Sequence, residues 1–448
     1  MPEITIVMPA LNVRNYIRPC LESVLNQSFR DIEVLAVDAG STDGTQEILE
    51  EYAGKDRRLH VIHSDKKSYG YQVNLGIESA AGGYIGIVET DDMIAKDMYQ
   101  VLYQTVSSDH LEYAKCGFLS FVESDNGLRW YQKGGRCIAG SDLIGKIISP
   151  RSMPELAIQD YYLWAGLYRK DFLKNIRLSE TPGAAFQDIG FIYQVLSTAD
   201  RAAYLDNELY FYRQTGNNSS FHKKGFQYLI QEYALLARVL PSRPDEWVHA
   251  FYARMFRQTV GRFERMAVGG TDWKETEDDV MVLLGQLRQA ENERRFRPEK
   301  MSDDNRAIYD RLKDNAYGMF SDECVLLEPM IHKLRALFDQ IGNRRVVIFG
   351  CGEYGKYTHV LLDTYKPGKV CAYCDNNKSL QGTKVQGVEV IAPETAVGTY
   401  PDAEYVTANR NGWPDIGRQL MELGIRDEQL CRYQPDFDIR LFTLQGIY

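Results

Sequence analysis

The sequence has few cysteines, no long apolar run and no excess of basic charge. Its 8 cysteines are scattered through 448 residues. That excludes a disulfide framework and reads as a chain kept reduced in the cytosol. No stretch reaches about 18 uninterrupted apolar residues, so a transmembrane helix is not expected. The opening MPEITIVMPA has no basic segment ahead of its apolar residues and turns polar too early for a signal peptide. Lys and Arg number 52 against 62 Asp and Glu, a net charge of −10, which argues against a dedicated nucleic-acid binder. What remains is ordinary globular composition, 44% hydrophobic and 25% charged. At ~150 residues per domain, the length suggests about three domains.

The first hundred residues alternate two periodicities. Ile4 to Met8, Ile32 to Val37, Leu59 to Ile62 and Tyr84 to Val88 are short apolar runs. Between the first two, Tyr16, Ile17, Cys20, Leu21, Val24 and Leu25 mark one face of a helix. Strands alternating with helices predict βαβ units and a parallel sheet, whose ligands bind beyond the carboxyl ends of the strands. Asp38 and Asp91 sit at such ends. Residues 106–222 are mixed and rich in aromatics, and 223–342 are helical. Alternation then returns with the strands Val346 to Phe349 and Val370 to Cys374. The helix from Trp247 to Met266 carries Arg254, Arg257, Arg262 and Arg265 on one side and Tyr252, Met255, Phe256, Val260, Phe263 and Met266 on the other. It suits packing on neighbouring helices or lying on an anionic membrane surface.

Two acidic segments carry the chemistry. Val37 to Thr45, VDAGSTDGT, leaves a strand through a Gly-rich turn and enters a helix, which exposes N–H groups to anions. Glu89-Thr90-Asp91-Asp92 ends the fourth strand. Carboxylates so close repel one another, and hard oxygen donors of this kind suit Mg²⁺ or Mn²⁺ beside a diphosphate. Taken singly, the first segment also reads as an Asx turn and the second as an acidic helix cap.

Taken in order, the pieces resemble family 2 glycosyltransferases. The resemblance rests on Pro9-Ala10-Leu11-Asn12, on Tyr16-Ile17 with Cys20 to Val24, and on Gln27 and Asp31-Ile32-Glu33. It continues through VDAGSTDGT, Asn74 to Ile77, Ala81-Gly82, Tyr84-Ile85 and the 89–92 box. Trp164, Arg169-Lys170, Gln187-Asp188, Tyr210 to Gln214 and Asn218-Ser219-Ser220 complete it, over about half the chain. The resemblance implies an α/β chain. Residues 1–222 would be a GT-A domain, with a nucleotide-binding half (1–105) and an acceptor half (106–222). Residues 223–342 would be a helical region, and 343–448 a smaller Rossmann-like α/β domain.

The activity implied is inverting transfer from a nucleotide diphosphate sugar, UDP-hexose or UDP-N-acetylhexosamine, with Mn²⁺ or Mg²⁺. The acceptor would be a glycan or a lipid-linked sugar. Asp188 would be the general base, a role a weakly nucleophilic hydroxyl requires. Pro9, Asn12, Asp38, Gly40, Ser41, Asn74, Glu89, Asp91, Asp92 and Arg213 would contact the donor. Of these, Asp38 would meet the base or ribose, Glu89 the ribose, and Asp92 the donor sugar. Asp91 would hold the metal, with His222 a second ligand if it is not simply an exposed loop residue. Tyr162 and Trp164 would form a sugar-stacking floor if they are not core packing. Leu11, Ala39, Glu89 and Gln187 depart from residues frequent in the family.

A second motif, Gly350-Cys351-Gly352-Glu353-Tyr354-Gly355, comes after a strand and opens a helix, with Asp375 at the end of the next strand. By spacing it is a dinucleotide-binding fingerprint. The segment from Asp375 to Glu394 resembles small nucleotide-sugar or cofactor-binding domains attached to bacterial polysaccharide enzymes. Gly350, Gly352, Gly355 and Asp375 are therefore a second candidate nucleotide site, with a structural or dimerising module as the other reading. Cys371 and Cys374 spell C-x-x-C without a second pair, which reads as strand cysteines and not zinc. The expected setting is cytoplasmic, with peripheral membrane contact and a homo-oligomer as further options. The rival functions are a catalytically silent nucleotide-sugar-binding scaffold and a bifunctional enzyme with its own chemistry in the last domain.

Overall fold

Strand β1 (Ile4–Ala10) is buried at every position, as a parallel strand covered on both faces must be. The structure, a computed structural model, describes residues 1–138, 142–183, 185–214, 224–408 and 413–444. After β1 the chain runs through α1 (Arg14–Leu25), β2 (Ile32–Asp38), α2 (Thr45–Ala53), β3 (Leu59–His63), α3 (Tyr69–Ser79) and β4 (Tyr84–Ile87). The sequence places a strand end at Pro9 because proline removes a donor. Pairing instead continues through Pro9↔Val37 and Ala10↔Asp38. The loops after β1 and β2 therefore leave the sheet side by side.

The sheet is then extended by β5 (Met93–Ile94), α4 (Met98–Ser108), β6 (Tyr113–Glu123), β7 (Arg129–Gly135), β8 (Ile147–Ile148), β9 (Gly166–Arg169), α5 (Gln187–Thr198) and β10 (Ala202–Arg213). Its order is β3-β2-β1-β4-β9-β6-β10-β5, with β7 beside β6 and β8 beside β10. Strands β1 to β4 are parallel, and β9 joins β4 antiparallel. This antiparallel step sets β10 and its aromatic side chains against the loop after β4. The helices α6 (Gly225–Leu236), α7 (Asp245–Val268), α8 (Glu277–Asn292) and α9 (Asp303–Ile341) come next. The apolar faces of α6, α7, α8 and the first half of α9 mostly join the same core as the first sheet, while Leu327, Leu334, Leu337, Phe338 and Ile341 of α9 pack into the core of the last sheet.

Helix α7 bears on the two readings of its arginines. Trp247, Phe251, Phe256 and Phe263 are buried, and so are Arg254 and Arg262. The helix is largely enclosed, as packing on neighbouring helices requires. Arg254 Nη1 donates to the carbonyls of Ala157 and Asp160 at 3.0 and 3.1 Å, so backbone oxygens solvate part of its charge. Among the described residues, no helix is long and apolar enough to cross a membrane.

A buried ion pair braces the part of the sheet built from β6 and β10. Lys115 Nζ on β6 lies 2.6 Å from both carboxylate oxygens of Asp160, and both side chains are fully enclosed. Tyr204 donates to Asp160 at 2.8 Å. Removing one member of such a pair strands the other charge. Asp160→Ala is therefore expected to cost about 3–5 kcal/mol in urea denaturation.

The last segment forms a separate six-stranded sheet. It contains β11 (Val346–Phe349), α10 (Glu353–Tyr365), β12 (Val370–Cys374), β13 (Lys384–Val385), β14 (Val388–Ile391), α11 (Pro393–Thr399), β15 (Glu404–Thr407), α12 (Trp413–Glu422) and β16 (Leu430–Cys431), in the order β13-β14-β12-β11-β15-β16. Cys374 is buried in β12, and the Cys371 thiol donates to the Val346 carbonyl, as strand cysteines would.

Candidate active site

The site begins where β1 and β2 end. The Asp38 carboxylate is buried and accepts from Gly40 N at 3.0 Å, Ser41 N at 3.1 Å and Ser41 Oγ at 2.5 Å. This is an Asx turn. It is closed by Gly40 at φ +76, where a side chain would be strained although the space is open. Asn12, at φ 54, accepts from Thr42 N through its side chain and donates its own N–H to Ser41 Oγ, both at 2.9 Å. Buried Gln72 ties the two strand ends together through Ala10 O and Val37 O. Asn12, Asp38 and Ser41, read as donor-contacting residues, thus lock the two loops to each other.

The acidic box comes after β4. Oxygens of Glu89, Asp91 and Asp92 all lie within 4.8 Å of one another. Residues distant in sequence fix this arrangement. Tyr210 donates to Asp92 Oδ2 at 2.7 Å and accepts from Glu89 N at 3.2 Å. Arg213 N donates to Asp92 Oδ1 at 2.7 Å, and its Nε to the Asp91 carbonyl at 2.6 Å. Tyr69 donates to Glu89 at 3.2 Å. Thr90 Oγ1 donates to the carbonyl of Pro9 at 2.8 Å, which joins the box to the end of β1.

Gathering these acids has an electrostatic cost. Burial, then the charges of Asp91 and Asp188, push Glu89 up to about 8. Burial raises Asp91, against the opposing charge of Arg213. Burial and the neighbouring carboxylates hold Asp92 well above the usual range. A cluster that resists ionisation so strongly is matched to a cation. Three hard oxygen donors with no sulfur or nitrogen among them fit Mg²⁺ or Mn²⁺. Both Asp92 oxygens already accept hydrogen bonds, which leaves Glu89 and Asp91 as the stronger ligand candidates.

Asp188 arrives from another element, in the first turn of α5, after Phe186 at φ 72 turns the chain. Burial pushes its carboxyl up to about 6, against the opposing charge of Arg254. Its charge acts on both Glu89 and Tyr69. The fold therefore brings residues 89–92 and 188 near one another. Beside Asp188, Gln187 is buried. It accepts from Gly70 N and donates to Thr181 O, both at 2.8 Å, and so fastens α5 to the start of α3.

Other expected residues pack behind the acidic box or away from it. Trp164 is buried and stacks on Tyr210 at 4.2 Å and on Tyr212 at 5.1 Å. It therefore backs the residue that holds Asp92. Tyr162 is half-buried, 4.9 Å from Trp164. Asn74 is buried and clamps Leu178 through both its amide atoms, at 3.0 Å. Arg213 is only 1% exposed and ion-paired with Glu123. His222, with Asn218 to Ser220, lies outside the described residues.

In the last domain, Gly350 has φ +101, and a Cβ at Gly355 would lie 2.1 Å from the Gly350 carbonyl. These two glycines are needed for the tight strand-to-helix turn. Gly352 caps α10 in extended backbone. Asp375 accepts from Cys351 N at 3.1 Å, so its carboxylate is tied to the loop itself.

Comparison with known proteins identifies a domain in the first part of the chain. Residues 5–177 match glycosyl transferase family 2. The chain carries a family 2 glycosyltransferase domain of GT-A fold. It is 29% identical over 223 residues to an uncharacterized glycosyltransferase of Bacillus subtilis, EpsJ, a match spanning 49% of this chain and 63% of that one. It is 26% identical over 308 residues to glycosyltransferase GlyA of Streptococcus pneumoniae, which covers 65% of this chain and 43% of that one. The chain thus spans less than two thirds of the length of these curated relatives. Among solved structures, S. aureus TarS 1–349 in complex with UDP-GlcNAc superposes with a TM-score of 0.53 at 19% identity. That match covers 74% of this chain and 92% of TarS 1–349. The likeness shows the fold of the family 2 domain.

Sequence spacing does not signal Tyr69, Gln72 or Glu123. They act through contacts 20 to 90 residues away, beyond the reach of any local pattern. Only Tyr210 belongs to a motif that points to it.

Proposed function

We propose that this chain transfers a hexose or N-acetylhexosamine from a nucleotide diphosphate sugar, of the UDP class, to a hydroxyl of a glycan or lipid-linked acceptor, with inversion. The observation that carries this reading is the convergence of the 89–92 box with Asp188, whose carboxyl is pushed to about 6. A base of that strength is largely ionised at neutral pH and still takes a proton well. Asp188 accepts the acceptor's hydroxyl proton while that oxygen bonds to the anomeric carbon. The bond to the diphosphate oxygen breaks on the opposite face, and a single displacement inverts the configuration. Glycosidases divide such work between two carboxylates; here the box serves the leaving group.

Glu89 and Asp91 are assigned to a divalent ion, and when bound the ion neutralises charge gathering on the departing diphosphate. The loops locked by Asn12, Asp38, Gly40 and Ser41 are assigned to the nucleotide. The UDP-GlcNAc complex of TarS supports the UDP class. Action at the cytoplasmic face of a membrane belongs to the same proposal, because lipid-linked acceptors are presented there.

A thermal-shift panel of UDP, GDP, CDP and dTDP, each with and without Mn²⁺, tests the donor class. UDP with Mn²⁺ should raise Tm by several degrees, since about 100-fold saturation adds ~2.7 kcal/mol. A shift with another nucleotide alone would reassign the donor. No shift with any would remove the donor site.

A further inference from the structure

The last three residues of strand β6 and Ser124 just after it alternate their side chains between two neighbours, as extended backbone requires. Phe121 and Glu123 face Arg213. The Phe121 ring lies 4.5 Å from the guanidinium carbon, and Glu123 Oε2 is ion-paired with Arg213 Nη1. Val122 and Ser124 face the carboxy-terminal sheet. Val122 shares a core with Tyr357, Val360 and Leu361 of α10. Ser124 Oγ donates to Asp363 Oδ2 of the same helix at 2.7 Å, and Asn126 Nδ2 to Asp363 Oδ1 at 2.9 Å. On β7, Trp130 packs edge-on against Tyr357, with ring centres 4.9 Å apart. One hairpin thus belongs to both units.

The other end of the chain of contacts is the acidic box, through the Arg213 bonds to Asp91 O and Asp92 Oδ1. Arg213 is buried, so its charge is poorly screened from the neighbouring carboxylates. Glu123 gives that guanidinium a counter-charge at Nη1, while Nε serves the Asp91 carbonyl. Without it, the buried cation is drawn onto Asp91 and competes with any ion bound there.

We propose that Glu123 is a positioning residue for the acidic box, and that the carboxy-terminal unit sets donor affinity by gripping the β6–β7 hairpin through Asp363. The proposal rests on reading the box as the donor and metal site.

The test uses the full chain, with UDP plus Mn²⁺ titrated calorimetrically and amide exchange monitored over residues 89–94 and 208–214. Glu123→Gln is expected to weaken UDP·Mn²⁺ binding about tenfold, the size of a lost charged hydrogen bond. It should leave kcat within about twofold, and Glu123→Asp should restore most of the affinity. Asp363→Asn should weaken binding about threefold in the same direction and speed exchange at 208–214. Wild-type affinity in both Glu123→Gln and Asp363→Asn, with binding lost in Asp91→Asn, would overturn the coupling. Intact binding in Asp91→Asn would overturn the donor-site reading beneath it.

Discussion

Asp188→Asn is expected to lower transfer by about 10²- to 10⁴-fold, the usual contribution of a positioned general base. The substitution keeps the size of the side chain and removes its ability to take a proton. Gln187 and the helix start that carry residue 188 are fixed by their own bonds to Gly70 and Thr181, so the loop should survive. UDP affinity should therefore stay near that of the parent, and the loss should fall on kcat. The same assignment sets the acid limb of the pH profile. The ionised carboxylate is the active form and burial pushes it up to about 6. The kcat/KM value should thus rise with pH through a limb near 6 and flatten above it. An unaltered limb in a still-active Asp188→Asn protein would assign the base elsewhere.

Asp91→Asn is expected to be comparably damaging for a different reason. Loss of one charge-stabilising group at a developing anion costs about 10²- to 10³-fold, and here Mn²⁺ dependence should weaken with it. The effect on the metal-free protein should have the opposite sign. Asp91 is the leading charged neighbour that raises Glu89, and all three carboxyls are raised by burial. Neutralising one relieves repulsion, so the metal-free Tm should hold or rise while activity falls. A variant that loses stability and activity in parallel would mark Asp91 as structural.

The parts of this site that are legible in the sequence are local. Residues 37–45 and 89–92 announce themselves because each is a compact polar cluster at the end of a buried apolar strand. Strand Val346–Phe349 and strand Val370–Cys374 match the apolar runs residue for residue. The hidden parts depend on long-range partners. Arg213 reads as a donor contact from its motif, but only the fold shows Glu123, 90 residues earlier, beside it. The wheel of α7 separates arginines from aromatics correctly. It carries no information that Ala157 and Asp160 offer carbonyls to bury Arg254. Trp164 and Asn74 have types that suit sugar binding, and packing geometry alone reveals that one stacks behind Tyr210 and the other clamps Leu178.

The most direct measurement is release of nucleoside diphosphate from a panel of nucleotide sugars by the full chain, with Mn²⁺ and with EDTA. Slow hydrolysis of the donor suffices, because water replaces the unidentified acceptor. At least one UDP-sugar should release UDP with Mn²⁺, and both EDTA and Asp91→Asn should abolish the release. UDP binding without turnover of any sugar in the panel, or release that EDTA leaves unchanged, would contradict metal-dependent glycosyl transfer at the 89–92 box.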